Sequence, residues 1–265
     1  MRGYNCVVCV KQVPDTQRVT GQALKPDGTV NRAALPAVFN PEDRNALEAA
    51  LRVRDACGGT VTVLTMGLPA AKAVLREALF CGADRAVLVT DRKAAGSDTL
   101  ATSYILSQAI RRFGPDLVFC GRQAIDGDTA QTGPQIGEKL GYAVLTCVEK
   151  LEMDGDFAVV TRDIGTGVER CRAKLPALLT VTGGFGALRP YRMHRVMERK
   201  NAEPEVLACD DIGCEEGRCG FAGSPTSVSQ IVSVVLAGGA FKEIAPTDEG
   251  VAGLVGELVA DHTIG

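Results

Sequence analysis

Strand-length apolar runs and helix-length amphipathic runs alternate without a break through the first half of this chain. Cys6 to Val10 ("CVVCV") is continuously apolar and of strand length. Pro41 to Ala56 ("PEDRNALEAALRVRDA") then sets Ala46, Leu47, Ala50, Leu51 and Val53 along one helical face, with charges opposite. Thr60 to Met66 reads as a strand, Ala70 to Phe80 as a helix, Arg85 to Val89 as a strand, Asp98 to Phe113 as a helix and Leu117 to Cys120 as a strand. Strands that are apolar throughout, not at every second residue, are buried on both faces. Strict alternation with helices supplies the cover, which predicts parallel βαβ units. The fold class expected is α/β, a doubly wound, mostly parallel sheet.

The pattern changes after Gly141. Short alternating runs flank "DGD" and "GTG", the turn chemistry of hairpins, so Ala143–Glu152, Phe157–Asp163 and Val168–Lys174 are predicted as an antiparallel addition. Ala177 to Val181 then returns to the main sheet. From Gly183 onward the chain is loop-rich and basic, and it ends in a Gly/Ser/Pro linker and a weak helix near Asp248 to Ala260. The division expected is an α/β domain over residues 1–183, a linker over 184–222 and an extended C-terminal arm over 223–265.

A net charge of −3 gives no electrostatic footprint for nucleic acid or an anionic membrane surface. The longest apolar run, around Ile231 to Leu236, falls far short of the ~18 residues a spanning helix needs. No secretory signal pattern opens the sequence, and a cytoplasmic protein is expected. The ten cysteines then read as reduced thiols acting as small hydrophobes. Cys209, Cys214 and Cys219 are spaced five apart, unlike the CxxC pairs of zinc sites. With only His194 and His262 as imidazoles, no metal site and no hydrolytic triad is expected.

One loop carries the chemistry. "CGRQAIDGDTAQTGPQIGEKLG" (Cys120 to Gly141) follows a buried strand directly, at the carboxyl end where doubly wound folds bind ligands. Gly121, Gly127 and Gly133 let backbone N–H groups approach an anion. The helix that follows starts either from Asp128 with Gln131 or from Thr132 with Gln135, each with capping-box spacing, and its N-terminus would face a pyrophosphate. Arg122 is a candidate charge-assisted contact. Asn40 is a candidate N-cap for the helix opening with Pro41, with Glu42 and Asp43 behind it. Neither GxGxxG after the first strand nor GxxxxGK[ST] is present, so spacing alone specifies a phosphate or nucleotide without saying which.

This loop, with "CVKQVPDT" (Cys9 to Thr16), "NPEDRNALEAAL" (Asn40 to Leu51), "ALFCGADRAVLV" (Ala78 to Val89), "VERCRAKLPALLTV" (Val168 to Val181) and "GSPTSVSQI" (Gly223 to Ile231), resembles the beta subunit of electron-transfer flavoproteins. The resemblance implies an alpha-subunit partner and an adenine nucleotide held by Cys9, Asn40, Met66 and the loop: Gly121, Arg122, Gln123, Ala124, Ile125, Asp126, Gly127, Asp128, Thr129, Gln131 and Thr132. It implies no catalytic side chain in this chain. Ordinary family members hold AMP here; electron-bifurcating members hold a second FAD, reduced by NADH. "AIDGDTAQ" (Ala124 to Gln131) is similar to the bifurcating version, which makes FAD the expected cofactor and AMP the alternative. Removing the Cβ and a carboxylate at position 127 lets a diphosphate approach the backbone more closely.

The same resemblance implies electron exchange with a flavin-dependent dehydrogenase and with ferredoxin or flavodoxin. The stretch "GALRPYRMHRVMERKN" (Gly186 to Asn201) lacks the acidic lead-in of the family's partner-recognition loop, so the dehydrogenase is left as either acyl-CoA or lactate type. Two other readings compete. One is a module in which AMP only stiffens the fold; the other is an unrelated α/β ATP binder or ligase, whose phosphate loop on the first strand is missing.

Overall fold

The computed structural model describes residues 2–15, 35–226 and 242–264. Residues 2–15 and 35–226 form one compact unit, and residues 242–264 belong to a second. The end of the Cys9–Thr16 motif, the part of Gly223–Ile231 from 227 onward and the apolar run at 231–236 lie outside the described residues.

Eleven strands and five helices build the first unit among the described residues. In chain order they are β1 (Tyr4–Cys9), β2 (Gln12–Pro14), β3 (Ala37–Phe39), α1 (Pro41–Cys57), β4 (Gly59–Met66), α2 (Lys72–Cys81), β5 (Arg85–Val89), α3 (Thr99–Arg111), β6 (Leu117–Gly121) and α4 (Thr132–Leu140). They continue as β7 (Ala143–Asp154), β8 (Phe157–Asp163), β9 (Val168–Lys174), β10 (Ala177–Val181), α5 (Met193–Arg199) and β11 (Glu205–Leu207).

Nine strands make one sheet in the order β11-β5-β4-β1-β6-β10-β7-β8-β9; β2 and β3 pair separately as a small antiparallel ribbon. From β11 to β7 every neighbouring pair is parallel, and β8 and β9 extend the edge antiparallel. The chemistry of the sequence explains the split. β1, β6 and β10 are buried almost throughout, whereas β9 ("VERCRAK") is mostly exposed and belongs to a ribbon with one wet face. The predicted hairpin strands are found, β7 running two residues past Glu152.

Helices cover both faces. Leu47, Leu51 and Leu75 enter the core on one side of the sheet; Ile105, Ile110 and Ile136 enter it on the other. Glycines at 133 and 137 bring α4 close: a Cβ at 133 would lie 2.9 Å from Thr180 Cγ2, and one at 137 would lie 2.4 Å from Val144 Cγ2. The basic stretch after β10 is held down by Arg189, whose guanidinium bonds Glu48 at 2.9 Å and Asp55 at 2.5 Å on α1. Among the described residues of the second unit, helix α6 (Asp248–Ala260) is capped by Thr247, whose hydroxyl accepts from Gly250 N.

Candidate nucleotide site

The order of the sheet fixes where a ligand can enter. After β1 the chain builds β4 and β5 outward on one side, then crosses back to lay β6 on the other side of β1. The crossovers on either side of this switch diverge and leave a crevice at the carboxyl ends of the strands. A cavity of about 380 Å³ lies there, reached by Cys9 at the end of β1, Lys11 just after it, Met66 at the end of β4, and Cys120 and Gly121 on β6. Leu106 and Ile136 give it apolar walls.

The first turn of α1 organises the crevice, in a way its sequence did not announce. Asn40 occupies the N-cap position but makes no capping bond. Its side chain, fully buried, turns to the loop after β6: Nδ2 donates to Gln123 O at 2.9 Å, and Oδ1 accepts from Ile125 N at 3.2 Å. Glu42 accepts from Gln123 N at 2.9 Å and pairs with the Arg122 guanidinium at 3.1 Å. Asp43 accepts from Lys11 N at 2.8 Å and from Gly121 N at 3.2 Å, joining the ends of β1 and β6. The expected cap and dipole acids are therefore brackets for the loop. Their side chains are drawn off the helix because the backbone amides at the diverging strand ends have no ladder partner of their own. Burial pushes the Asp43 carboxyl up to about 7, against the lowering effect of the Asn40 amide and of the Lys11 and Gly121 amides that donate to it.

Gly121 is required by this arrangement: a Cβ there would come within 2.5 Å of Asp43 Oδ1. Beyond it the loop makes a turn in which Asp128 N donates to Ala124 O at 2.9 Å and Gln123 Nε2 donates to Asp128 Oδ1 at 2.9 Å. Asp128 and Ala130 both adopt positive φ, 47° and 54°. Such a conformation is unfavourable for residues with a Cβ and persists where surrounding contacts over-determine it. Neither capping box forms. Helix α4 begins at Thr132, and the preceding Gln131 makes no side-chain cap. Gln131 and Gln135 are engaged instead with α3, through Thr99 and Ser103. The N-terminus of α4 consequently carries N–H groups with no side-chain cap, and Thr132 and Gly133 line the cavity.

Of the residues singled out in the sequence, the structure brings Cys9, Met66, Gly121, Arg122, Gln123, Ala124, Gly127, Asp128, Thr129, Gln131 and Thr132 to the cavity wall. Asn40, Ile125 and Asp126 stand outside it. Asn40 and Ile125 bond to each other behind the loop, while the Asp126 carboxylate holds Lys11 Nζ at 2.8 Å. The guanidinium of Arg122 is engaged by Glu42. Sequence reasoning missed the opposite wall, where Ser97, Asp98 and Thr99 lead into α3. Asp98 caps that helix through Leu100 N and Ala101 N, and a strand followed by "SDT" carries the same strand-to-helix signal that picked out the β6 loop.

Fit to an adenine nucleotide can be judged from these groups. The uncapped amides of Thr132 and Gly133 at the head of α4 suit phosphate oxygens, and the walls formed by Met66, Leu106 and Ile136 suit a flat base. Gly127 is informative because nothing within the protein demands it. It is outside the left-handed region, and a Cβ built there meets no atom of the described residues within 4 Å. At 380 Å³ the cavity is near the lower end of ligand pockets, ~300–1,000 Å³, so a dinucleotide extends beyond it.

Comparison with known proteins gives a concordant answer. Residues 27–212 match the model of the electron transfer flavoprotein domain. The chain is 42% identical over 260 residues to an electron transfer flavoprotein subunit beta of Clostridium acetobutylicum, covering 98% of this chain and 100% of that protein. It is 45% identical to Protein FixA of Azorhizobium caulinodans, covering 85% and 83% of the two chains. It is 41% identical to the acryloyl-CoA reductase electron transfer subunit gamma of Anaerotignum propionicum, covering 97% and 98%. With a parallel sheet switched at β1, a bracketed loop after β6 and relatives spanning nearly the whole sequence, this chain belongs to the electron transfer flavoprotein family, among its beta subunits.

Proposed function

We propose that the crevice between β1 and β6 binds FAD, and that the chain is the beta half of a heterodimer that passes electrons from NADH to a dehydrogenase and to ferredoxin or flavodoxin. The observation that carries the reading is the unexplained openness at Gly127, a glycine that neither packing nor backbone conformation calls for, beside an uncapped helix N-terminus. A bound diphosphate accounts for both. The flavin, when bound, supplies hydride acceptance and one-electron delivery, the chemistry that bifurcation requires. This chain's residues bind and orient. The α4 amides take the diphosphate, Gly127 leaves room for it, Met66, Leu106 and Ile136 enclose the adenine, and Asn40, Glu42 and Asp43 keep the loop from relaxing. The redox ring would extend beyond this cavity, where an alpha subunit would cover it and exclude water.

Residues 184–222 form the dehydrogenase-facing segment in this reading, and residues 223–265 the arm that packs on the alpha subunit. The relative named as an acryloyl-CoA reductase subunit favours an oxidoreductase of acyl-CoA esters over one of the lactate type. Structural AMP is the second reading, favoured by the modest cavity, which holds a mononucleotide without help from a partner. Anaerobic titration of the heterodimer with NADH tests the donor: bleaching of two flavins per heterodimer supports the proposal. A complex in which NADH bleaches none overturns it.

A further inference from the structure

The segment after β11 does something its sequence spacing conceals. Cys209, Cys214 and Cys219 stand five residues apart, yet their three sulfurs lie within 4.8 Å of one another. Two short helical turns fold them together. Cys209 O accepts from Ile212 N and from Cys214 N, at 3.3 and 3.0 Å, closing the first loop, with Gly213 in the left-handed region at φ 66°. The second loop brings Cys219 back beneath Glu215, to whose carbonyl its Sγ donates at 3.4 Å. Cys209 and Cys219 are buried and Cys214 is half-buried.

We propose that Cys209, Cys214 and Cys219 form a mononuclear zinc site, with water as the fourth ligand. Thiolates at ~2.3 Å from a tetrahedral zinc stand roughly 3.8 Å apart, so the observed convergence needs only a small contraction. A [4Fe–4S] cluster attaches each cysteine to a different iron and holds the sulfurs farther apart. A disulfide would join two of the sulfurs and leave the third, equally close, without a role. Soft thiolates select zinc over the hard cations. Binding exchanges three S–H protons for one Zn²⁺, leaving a local charge of −1, and the protons pass to solvent.

A zinc ion here has structural consequences. The segment has few core residues of its own, and it clasps the loop after β5 that forms one wall of the nucleotide cavity. Cys209 N donates to Asp91 at 3.0 Å, Gly220 N to Ser97 Oγ at 3.1 Å, and Asp98 N to Ser224 Oγ at 2.8 Å. The Phe221 ring lies against Gly96, where a Cβ would come within 2.3 Å of it. A metal that fixes residues 209–219 therefore also steadies Asp91 directly, and Ser97 and Asp98 through the adjoining Gly220 and Ser224.

The test uses the full chain in its heterodimer, purified anaerobically with reductant and without chelator. Metal analysis is expected to give one zinc per chain. Adding Co²⁺ after zinc removal is expected to give the intense near-ultraviolet absorption of cobalt–thiolate bonds. The half-buried position is the mildest to alter, so Cys214→Ser should lose at least half of the metal, while Cys171→Ser, on β9, retains it. The cobalt spectrum of the unaltered chain needs no variant and remains decisive should Cys214→Ser fail to fold. Absence of metal with no cobalt–thiolate band, copper or iron in place of zinc, or a disulfide between two of the three cysteines in the anaerobic protein would overturn the proposal.

Discussion

Asn40 shows how one side chain can look local and act at a distance. At the head of a helix that opens Pro-Glu-Asp, an asparagine predicts a cap, whose removal costs about 1 kcal/mol. In the fold the same amide is fully buried and serves two backbone groups of the site loop. Asn40→Ala leaves Gln123 O and Ile125 N unpaired, and we expect a loss of roughly 2–3 kcal/mol. Urea denaturation measures the loss, and nucleotide content should fall with it. A penalty of a few tenths of a kcal/mol, with nucleotide retained, would show that the loop holds itself.

Asp43 carries a pH signature of the same bracket. Its folded-state carboxyl is raised to about 7 from an ordinary 3.8, chiefly by burial. The folded state thus binds the proton more tightly than the unfolded chain. The associated stability is fully present below about 4 and is lost as pH rises through about 7. Denaturation midpoints should fall across that interval, and Asp43→Asn should flatten the decline. An unchanged slope in the variant would remove Asp43 as its source.

Among the elements, α4 separates packing from binding within one short stretch. Gly133 and Gly137 let the helix lie against the sheet, whereas Gly127 sits in open space. Gly133→Ala forces a contact of 2.9 Å with Thr180 and should destabilise by about 1–3 kcal/mol. Gly127→Val should leave stability within about 0.5 kcal/mol, as for an exposed substitution, while nucleotide occupancy drops severalfold. Thermal melts and nucleotide analysis of the two variants check the contrast. Equal loss of stability in both would mean that position 127 is a folding constraint.

These elements also show what a sequence discloses. The βαβ succession, the stripe on α1, the hairpin strands and helix α6 were legible because hydrophobic period and turn residues are local properties. The β6 loop was legible by its glycines and its place after a buried strand. The brackets from Asn40, Glu42 and Asp43 were not, because they join residues about eighty positions apart and imitate ordinary helix-start chemistry. Both capping boxes failed for a related reason: Gln131 and Gln135 found partners on α3. The cysteine convergence was hidden because spacing was compared with CxxC pairs, while two consecutive turns can gather residues five apart.

At the level of the entire molecule, a small cavity at the strand ends stands beside a helix that exposes apolar side chains among the described residues. No described helix is long and apolar enough to cross a membrane. Yet Val251, Leu254, Val255 and Val259 of α6 are exposed. Four apolar side chains on one short helix fit the proposed role of the arm as cover for a partner chain. The crevice is small as well: at 380 Å³ it would hold the adenylate portion of the proposed dinucleotide and leave the redox portion outside. Both features follow if this chain works only within a heterodimer, binding and orienting a nucleotide whose chemistry occurs at the junction.

The nucleotide itself decides the matter. Heterodimer purified from cells, denatured to release its ligands and resolved by chromatography, yields a stoichiometry free of kinetic assumptions. FAD in the β1–β6 crevice predicts two FAD per heterodimer and no AMP, with one of the two lost in Gly127→Val. One FAD and one AMP per heterodimer would contradict the account and make this chain a carrier subunit with a structural mononucleotide.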